Sequence, residues 1–160
     1  MFRHFLPAGR PKPGMLLTGA VVPIFAGLHL WAALTRPLPG ALAGVILYAA
    51  GAALFWGAIA VTRGRHLAAC FQNRMPETVV VTGPYRYVRH PFYVSYLLVW
   101  TGGFVGSGWW PLAITVIVMG TIYFSAASLE ERTMLNSGAR EEYGLYMRKT
   151  GRFLPRLSRT

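Results

Sequence analysis

Three stretches of this chain, Met15–Leu34, Ala41–Val61 and Pro91–Leu129, contain no Asp, Glu, Lys or Arg. About 20 apolar residues carry a helix across a hydrocarbon core of roughly 30 Å, and the first two stretches have that length. Among 160 residues that are 54% hydrophobic, such runs leave little chain for a soluble core. The expected fold class is therefore an all-α integral membrane protein. The third stretch is too long for one span and carries its own break. Gly106-Ser107-Gly108 offers a turn, Trp109 and Trp110 suit a membrane interface, and Pro111 suits the first turn of the next helix. The pattern predicts about four transmembrane helices in one membrane domain, residues 1–160, at about 15–34, 41–61, 91–105 and 111–128.

Orientation follows from the 16 Lys and Arg residues. They group as Arg3, Arg10 and Lys12, then Arg63, Arg65, Arg74, Arg86 and Arg89, then seven from Arg132 to Arg159, which leaves only Arg36 for the opposite side. The positive-inside rule then places both termini and the central loop in the cytoplasm, and a prokaryotic inner membrane is the expected location. The formal charge of +11 is thereby explained without nucleic acid, for which no binding module is visible. A basic face also suits anionic headgroups. The basic lead before Met15 mimics a signal peptide, yet the apolar run exceeds a typical h-region, so an uncleaved first span is expected. Cys70 is the single cysteine, which excludes an intrachain disulfide. Nothing in the sequence sets an oligomeric state. Small residues at Gly51, Ala52 and Ala53, and at Gly102 and Gly106, suit close helix packing.

Polar chemistry is confined to two cytoplasmic segments, 62–90 and 130–160. In the first, Glu77 to Thr82 is an extended, β-branched run. It leads into Gly83-Pro84-Tyr85-Arg86-Tyr87-Val88-Arg89-His90-Pro91-Phe92-Tyr93. Ionisable groups at the threshold of a span are functional candidates, set against the plainer role of an interfacial Arg and Tyr anchor. In the second segment, residues 139–149 suit an amphipathic helix at the interface, with Tyr143 and Tyr146 on one face.

The chain has five acidic residues and no aspartate, and four of the five form the pairs Glu130-Glu131 and Glu141-Glu142. Glu130 and Glu131 are expected at the C-terminus of the fourth helix, where the backbone dipole disfavours an anion by about 0.3–1 kcal/mol. An ion pair with Arg86, Arg89 or Arg132 accounts for them structurally; a carboxylate pair binding hydroxyls or a cation accounts for them functionally. Neighbours on a helix point about 100° apart, so one of the two faces the bundle. His90 precedes a helix-initiating proline, and the backbone N–H groups there attract anions. A hairpin of helices three and four returns Glu130 beside His90. The outcome expected is a cytoplasmic-face pocket with a positive and a negative wall, fit for a zwitterion. His4, His29, His66 and His90 have no metal-ligand spacing. No phosphate loop, dinucleotide fingerprint or nucleophile elbow accompanies them.

Arg89-His90-Pro91-Phe92-Tyr93, followed after a helical hairpin by Glu130-Glu131 and closed by Arg152-Phe153-Leu154-Pro155, resembles the isoprenylcysteine carboxyl methyltransferase and phospholipid methyltransferase superfamily. The likeness runs from Glu77 to about Pro155. It implies an S-adenosylmethionine-dependent membrane methyltransferase acting on a lipid-like or amphiphilic small molecule at oxygen, nitrogen or sulfur. By the same likeness, Glu77, Thr78, Val79 and Val80 run along the adenosine and Tyr85 closes the pocket. His90, Pro91, Phe92, Tyr93 and Glu130 hold the cofactor, and Arg89, His90 and Glu131 are the catalytic candidates. No metal is implied. Ser95 stands where the family often has glycine, and Ala126 where the isoprenylcysteine enzymes place a substrate-binding arginine, so the likeness names the cofactor rather than the acceptor. Two alternatives stay open: a membrane reductase of the sterol-reductase type using a nicotinamide cofactor, and a non-catalytic four-helix interaction protein.

Overall fold

The computed structural model describes residues 13–62 and 79–156. Glu77 and Thr78, Cys70 and the remainder of 63–78 lie outside the described residues. The three apolar runs become four helices, the third run forming two: α1 Pro13–Thr35, α2 Ala41–Thr62, α3 Pro91–Ser107 and α4 Leu112–Leu135. A single 3-10 turn, Gly83–Arg86, precedes α3, and α5 Arg140–Lys149 follows α4. The described residues contain five α-helices and no strand; Val88 and Gly151 form an isolated parallel bridge. Of these helices, α2 and α4 are long and apolar enough to cross a membrane by length and composition.

The most intimate contact is between α2 and α3, which run antiparallel along a seam of small residues. A Cβ on Gly44 would stand 2.9 Å from the Gly102 carbonyl oxygen, and one on Gly51 would stand 3.0 Å from the Ser95 carbonyl oxygen. Gly44, Gly51 and Gly102 therefore let the backbones approach, whereas Ala52 and Ala53, also expected at a helix contact, are exposed. Ser95 is buried and its hydroxyl donates to the Phe92 carbonyl at 2.7 Å, so here the glycine of close approach is supplied by α2.

The α3–α4 hairpin turns at Gly108, whose positive φ of 61° favours glycine. Its N–H donates to the Phe104 carbonyl at 2.9 Å, closing α3. Pro111 then stands immediately before α4. One stripe of α4 is buried: Leu112, Thr115, Met119, Tyr123, Ala127 and Glu131. The spacing of three and four residues is that of one helix face, and the stripe carries Glu131 inward near its C-terminal end. Trp100, Met119 and Tyr123 form the centre, with Val21, Val22 and Phe25 of α1 against them.

Two expectations are revised. The apolar stretch ends at Leu129, but α4 continues to Leu135, so Glu130 and Glu131 are not at its C-terminus. The dipole penalty fades beyond the last turn, and two arginines neutralise Glu131 there. Helix α5 has its acids, Glu141 and Glu142, in the first turn and Arg148 and Lys149 in the last, as the helix dipole favours. Its two tyrosines do not lie against an interface. They are buried with Val79, and Met134, Leu135, Ala139 and Met147 pack on the same cluster, because apolar partners are available within the protein.

Candidate active site

Pro91 starts α3 and holds His90 at the helix entrance, while the buried stripe of α4 brings Glu131 to the same level. The Arg89 Nε donates to Glu131 Oε1 at 3.0 Å, and its Nη2 lies 2.9 Å from the same oxygen in an ion pair. Arg89 Nη1 donates to the Met147 carbonyl at 3.3 Å and to that of Thr150. Arg152 grips the same carboxylate from the chain's far end, with Nε at 3.1 Å from Oε1 and Nη2 at 2.5 Å from Oε2. Its Nη1 donates to Ser128 Oγ at 3.1 Å. His90 Nε2 lies 3.2 Å from Glu131 Oε1.

Glu131 is 3% exposed with both oxygens engaged, whereas Glu130 is 50% exposed. Glu130 Oε1 accepts the Tyr93 hydroxyl at 2.6 Å, and its Oε2 lies 3.4 Å from His90 Nδ1. The two glutamates thus flank one imidazole, Glu131 from inside and Glu130 from the open side. The expected pocket with opposed charged walls is instead drawn together: Arg89 and Glu131 are in contact, since buried charges are tolerated only when paired. Arg86 instead lies over the Tyr87 ring at 5.2 Å, and Glu131 is paired with Arg89, Arg152 and His90.

Burial alone would raise the Glu131 carboxyl, which sits beyond the apolar part of α4. Hydrogen bonds from Arg152 and then Arg89 outweigh burial and hold it below the usual carboxylate value. Burial pushes the Tyr143 hydroxyl up to about 12, with the nearby Glu131 charge adding to the effect. Burial raises Tyr146 as well, and its hydroxyl donates to the Tyr85 carbonyl at 2.6 Å.

Aromatic rings continue the open side. His90 stacks on Tyr93 at 5.6 Å between centroids, and Tyr93 on Tyr123 at 5.2 Å. Tyr96 lies 5.7 Å from Tyr123, and the Phe92 ring meets Phe55 at 5.5 Å. Val79 is buried under α5 and Val80 is half-buried beside it. His90, Pro91, Phe92, Tyr93 and Glu130 are thus neighbours at one entrance, with Tyr85 tied to it through α5. Two backbone donors expected to be open to an anion are already used: Arg89 N–H donates to the Gly151 carbonyl at 2.8 Å and His90 N–H to that of Arg152 at 3.2 Å.

Residues 40–138, more than half of the chain, match the model of the phospholipid methyltransferase family. The chain belongs to the phospholipid methyltransferase family. A similar protein is the cobalt-zinc-cadmium resistance protein CzcN of Cupriavidus metallidurans, 34% identical over 108 residues that cover 64% of this chain and 47% of that protein. The chain spans about half the length of that relative. No solved structure matches it.

The match to the phospholipid methyltransferase family, together with the two long apolar helices α2 and α4, fits association with a membrane. The phospholipid methyltransferase match includes Arg89, His90, Tyr93, Glu130 and Glu131, and ends before α5. Sequence reasoning quoted Arg152 and Phe153 within the closing motif but gave neither a contact in the site, and it missed Ser128 and Tyr123. The signal for Tyr123 was available, because it stands two helical turns before Glu131 on one face. For Arg152 the closing motif was visible but its partner was not, since its approach requires the tail to fold back.

Proposed function

We propose that this chain transfers a methyl group from S-adenosylmethionine to a lipid-like or amphiphilic acceptor at the cytoplasmic face of a membrane. The charge-free parts of α1 to α4, ending at Leu129 in α4, would be the four spans, with the Arg-rich segments 62–90 and 130–160 inside. The observation that carries the reading is the half-exposed Glu130 carboxylate, held by Tyr93 and flanked by His90 at the mouth of an apolar hairpin, in a methyltransferase family.

The residues present fit the cofactor. A carboxylate offers about four acceptor sites; Tyr93 and His90 occupy part of that capacity on Glu130, which leaves acceptors for hydroxyl or ammonium groups. Tyr93 is stacked between His90 and the buried Tyr123, an arrangement that holds the Tyr93 hydroxyl against Glu130. Bound here, S-adenosylmethionine supplies an electrophilic sulfonium methyl for in-line displacement. The chain's contribution is positioning, which is worth several kcal/mol of a bimolecular barrier. His90, Pro91, Phe92, Tyr93 and Glu130 would hold the cofactor, with Tyr85, Val79 and Val80 nearest the adenosine. Arg89 and Glu131 would act by fixing His90, since both are buried in one ion pair.

Isothermal titration of the detergent-purified protein with S-adenosylhomocysteine tests the reading. Saturable binding is expected, weakened in both Glu130→Gln and His90→Ala. Absence of binding at millimolar ligand sinks the proposal, and unchanged affinity in both variants moves the site elsewhere.

A further inference from the structure

Arg152 lies beyond the residues that match the family, in a short tail segment that returns to the site. Three observations fix where it goes. Its backbone carbonyl accepts the His90 N–H at 3.2 Å, and the Gly151 carbonyl accepts the Arg89 N–H at 2.8 Å, beside the Val88–Gly151 bridge. Its guanidinium forks onto Glu131, whose Oε1 also meets His90 Nε2. The next residue, Phe153, sets its ring 6.0 Å from that of His90 and 6.3 Å from that of Phe124, and Arg152 itself lies 4.8 Å over Phe124. One residue therefore holds His90 by its main chain and, through a shared carboxylate, by its ring.

The turn that allows this is sterically exacting. A Cβ on Gly151 would fall 1.7 Å from the Leu154 carbonyl oxygen, a backbone atom that cannot swing aside. Residue 151 is thereby confined to glycine where the tail folds onto the site.

We infer that residues 151–153 form a clasp over the cofactor site and that Arg152 is a positioning residue: it sets the His90 ring by way of Glu131 while touching neither reactant. The inference rests on the methyl-transfer reading and adds to it a determinant outside the family-matched region. A bidentate guanidinium supports a carboxylate with geometric as well as electrostatic definition. A carboxylate so fixed presents one oxygen to His90 Nε2, which leaves Nδ1 toward Glu130 and the open side. Without Arg152, Glu131 keeps Arg89 as its one guanidinium partner beside His90 and is drawn with it toward Met147 and Thr150, whose carbonyls Arg89 also contacts.

The experiment is titration of S-adenosylhomocysteine into full-length wild type, Arg152→Gln, Arg152→Lys and Arg152→Ala in detergent, each checked for a monodisperse profile. Arg152→Gln should weaken affinity about ten- to hundredfold, the worth of hydrogen bonds to a charged group. Arg152→Lys should lose less, because charge persists while the fork does not. Millimolar methylguanidine should restore affinity to Arg152→Ala, a recovery that general loss of packing would not give. If Arg152→Gln proves polydisperse, Arg152→Lys decides. Affinity within threefold of wild type in every folded variant overturns the clasp while leaving methyl transfer intact, whereas failure of the wild type to bind overturns the methyl-transfer reading itself.

Discussion

Glu131→Gln preserves shape and removes one charge from the interior, so its cost can be worked from the contacts. The carboxylate is 3% exposed and is paired with Arg89 at 2.9 and 3.0 Å, with Arg152 at 2.5 and 3.1 Å, and lies 3.2 Å from His90 Nε2. Glutamine keeps one acceptor oxygen and turns an NH2, a donor, toward a guanidinium fork. Removing one partner of a buried ion pair typically costs about 3–5 kcal/mol, because the other charge stays behind. Arg89 is 7% exposed and feels that loss in full, while Arg152 at 28% is partly solvated and contributes less. The expected destabilisation is near the lower end, about 3 kcal/mol. Glu130→Gln is the matched control: its carboxylate is half-exposed and should cost about 1 kcal/mol or less, while weakening S-adenosylhomocysteine binding. Reversible unfolding in mixed dodecylmaltoside and dodecyl sulfate micelles, followed by circular dichroism, compares the two. Equal losses, or a loss below about 1 kcal/mol for Glu131→Gln, would refute the division of these neighbours by burial.

Acidification should separate the same variants. The folded Glu131 carboxyl is held below its ordinary value of 4.5. Its stabilisation is therefore complete above that value and is lost as pH falls through the lower folded one. The thermal midpoint should drop below about pH 4.5 in wild type and less steeply in Glu131→Gln; parallel curves would exclude Glu131 as the cause. Glycines offer a second pair of opposite sign. Gly44→Ala pushes a methyl to 2.9 Å from the Gly102 carbonyl oxygen and 3.0 Å from the Gly106 Cα, and should cost about 1–3 kcal/mol. Gly144→Ala in α5 meets nothing within 4 Å and should gain about 0.5–1 kcal/mol by restricting the unfolded chain. The same unfolding assay reads both, and a stabilised Gly44→Ala would contradict the close α2–α3 seam.

The helices were legible because their cause is local. Charge-free runs of membrane length, a Gly-Ser-Gly break and a proline at each restart leave few other ways to satisfy the backbone. The extension of α4 to Leu135 was hidden because hydropathy changes at Glu130, whereas helix propensity does not. The burial of Tyr143 and Tyr146 was misread for a related reason: an amphipathic face announces that it will be covered, not by what. In the site, the Arg89-His90-Pro91 and Glu130-Glu131 meeting follows from hairpin geometry and was readable. Arg152 was not, because its partner is 21 residues away through α5 and two turns.

The pairing of Glu130 with Glu131 illustrates how one residue of register divides two roles. Tyr123, Ala127 and Glu131 recur every four residues, so the face that fills the bundle with an aromatic ring must also carry a carboxylate inward. A charge taken there needs cations on more than one side, and the chain supplies one from the threshold of α3 and another from its tail. Rotated by about 100°, Glu130 escapes that demand and keeps spare acceptor capacity beside His90. The buried member therefore meets the imidazole from inside the bundle while the exposed member meets it from the open side, and a one-residue insertion or deletion in α4 between Tyr123 and Glu130 would disturb both contacts together.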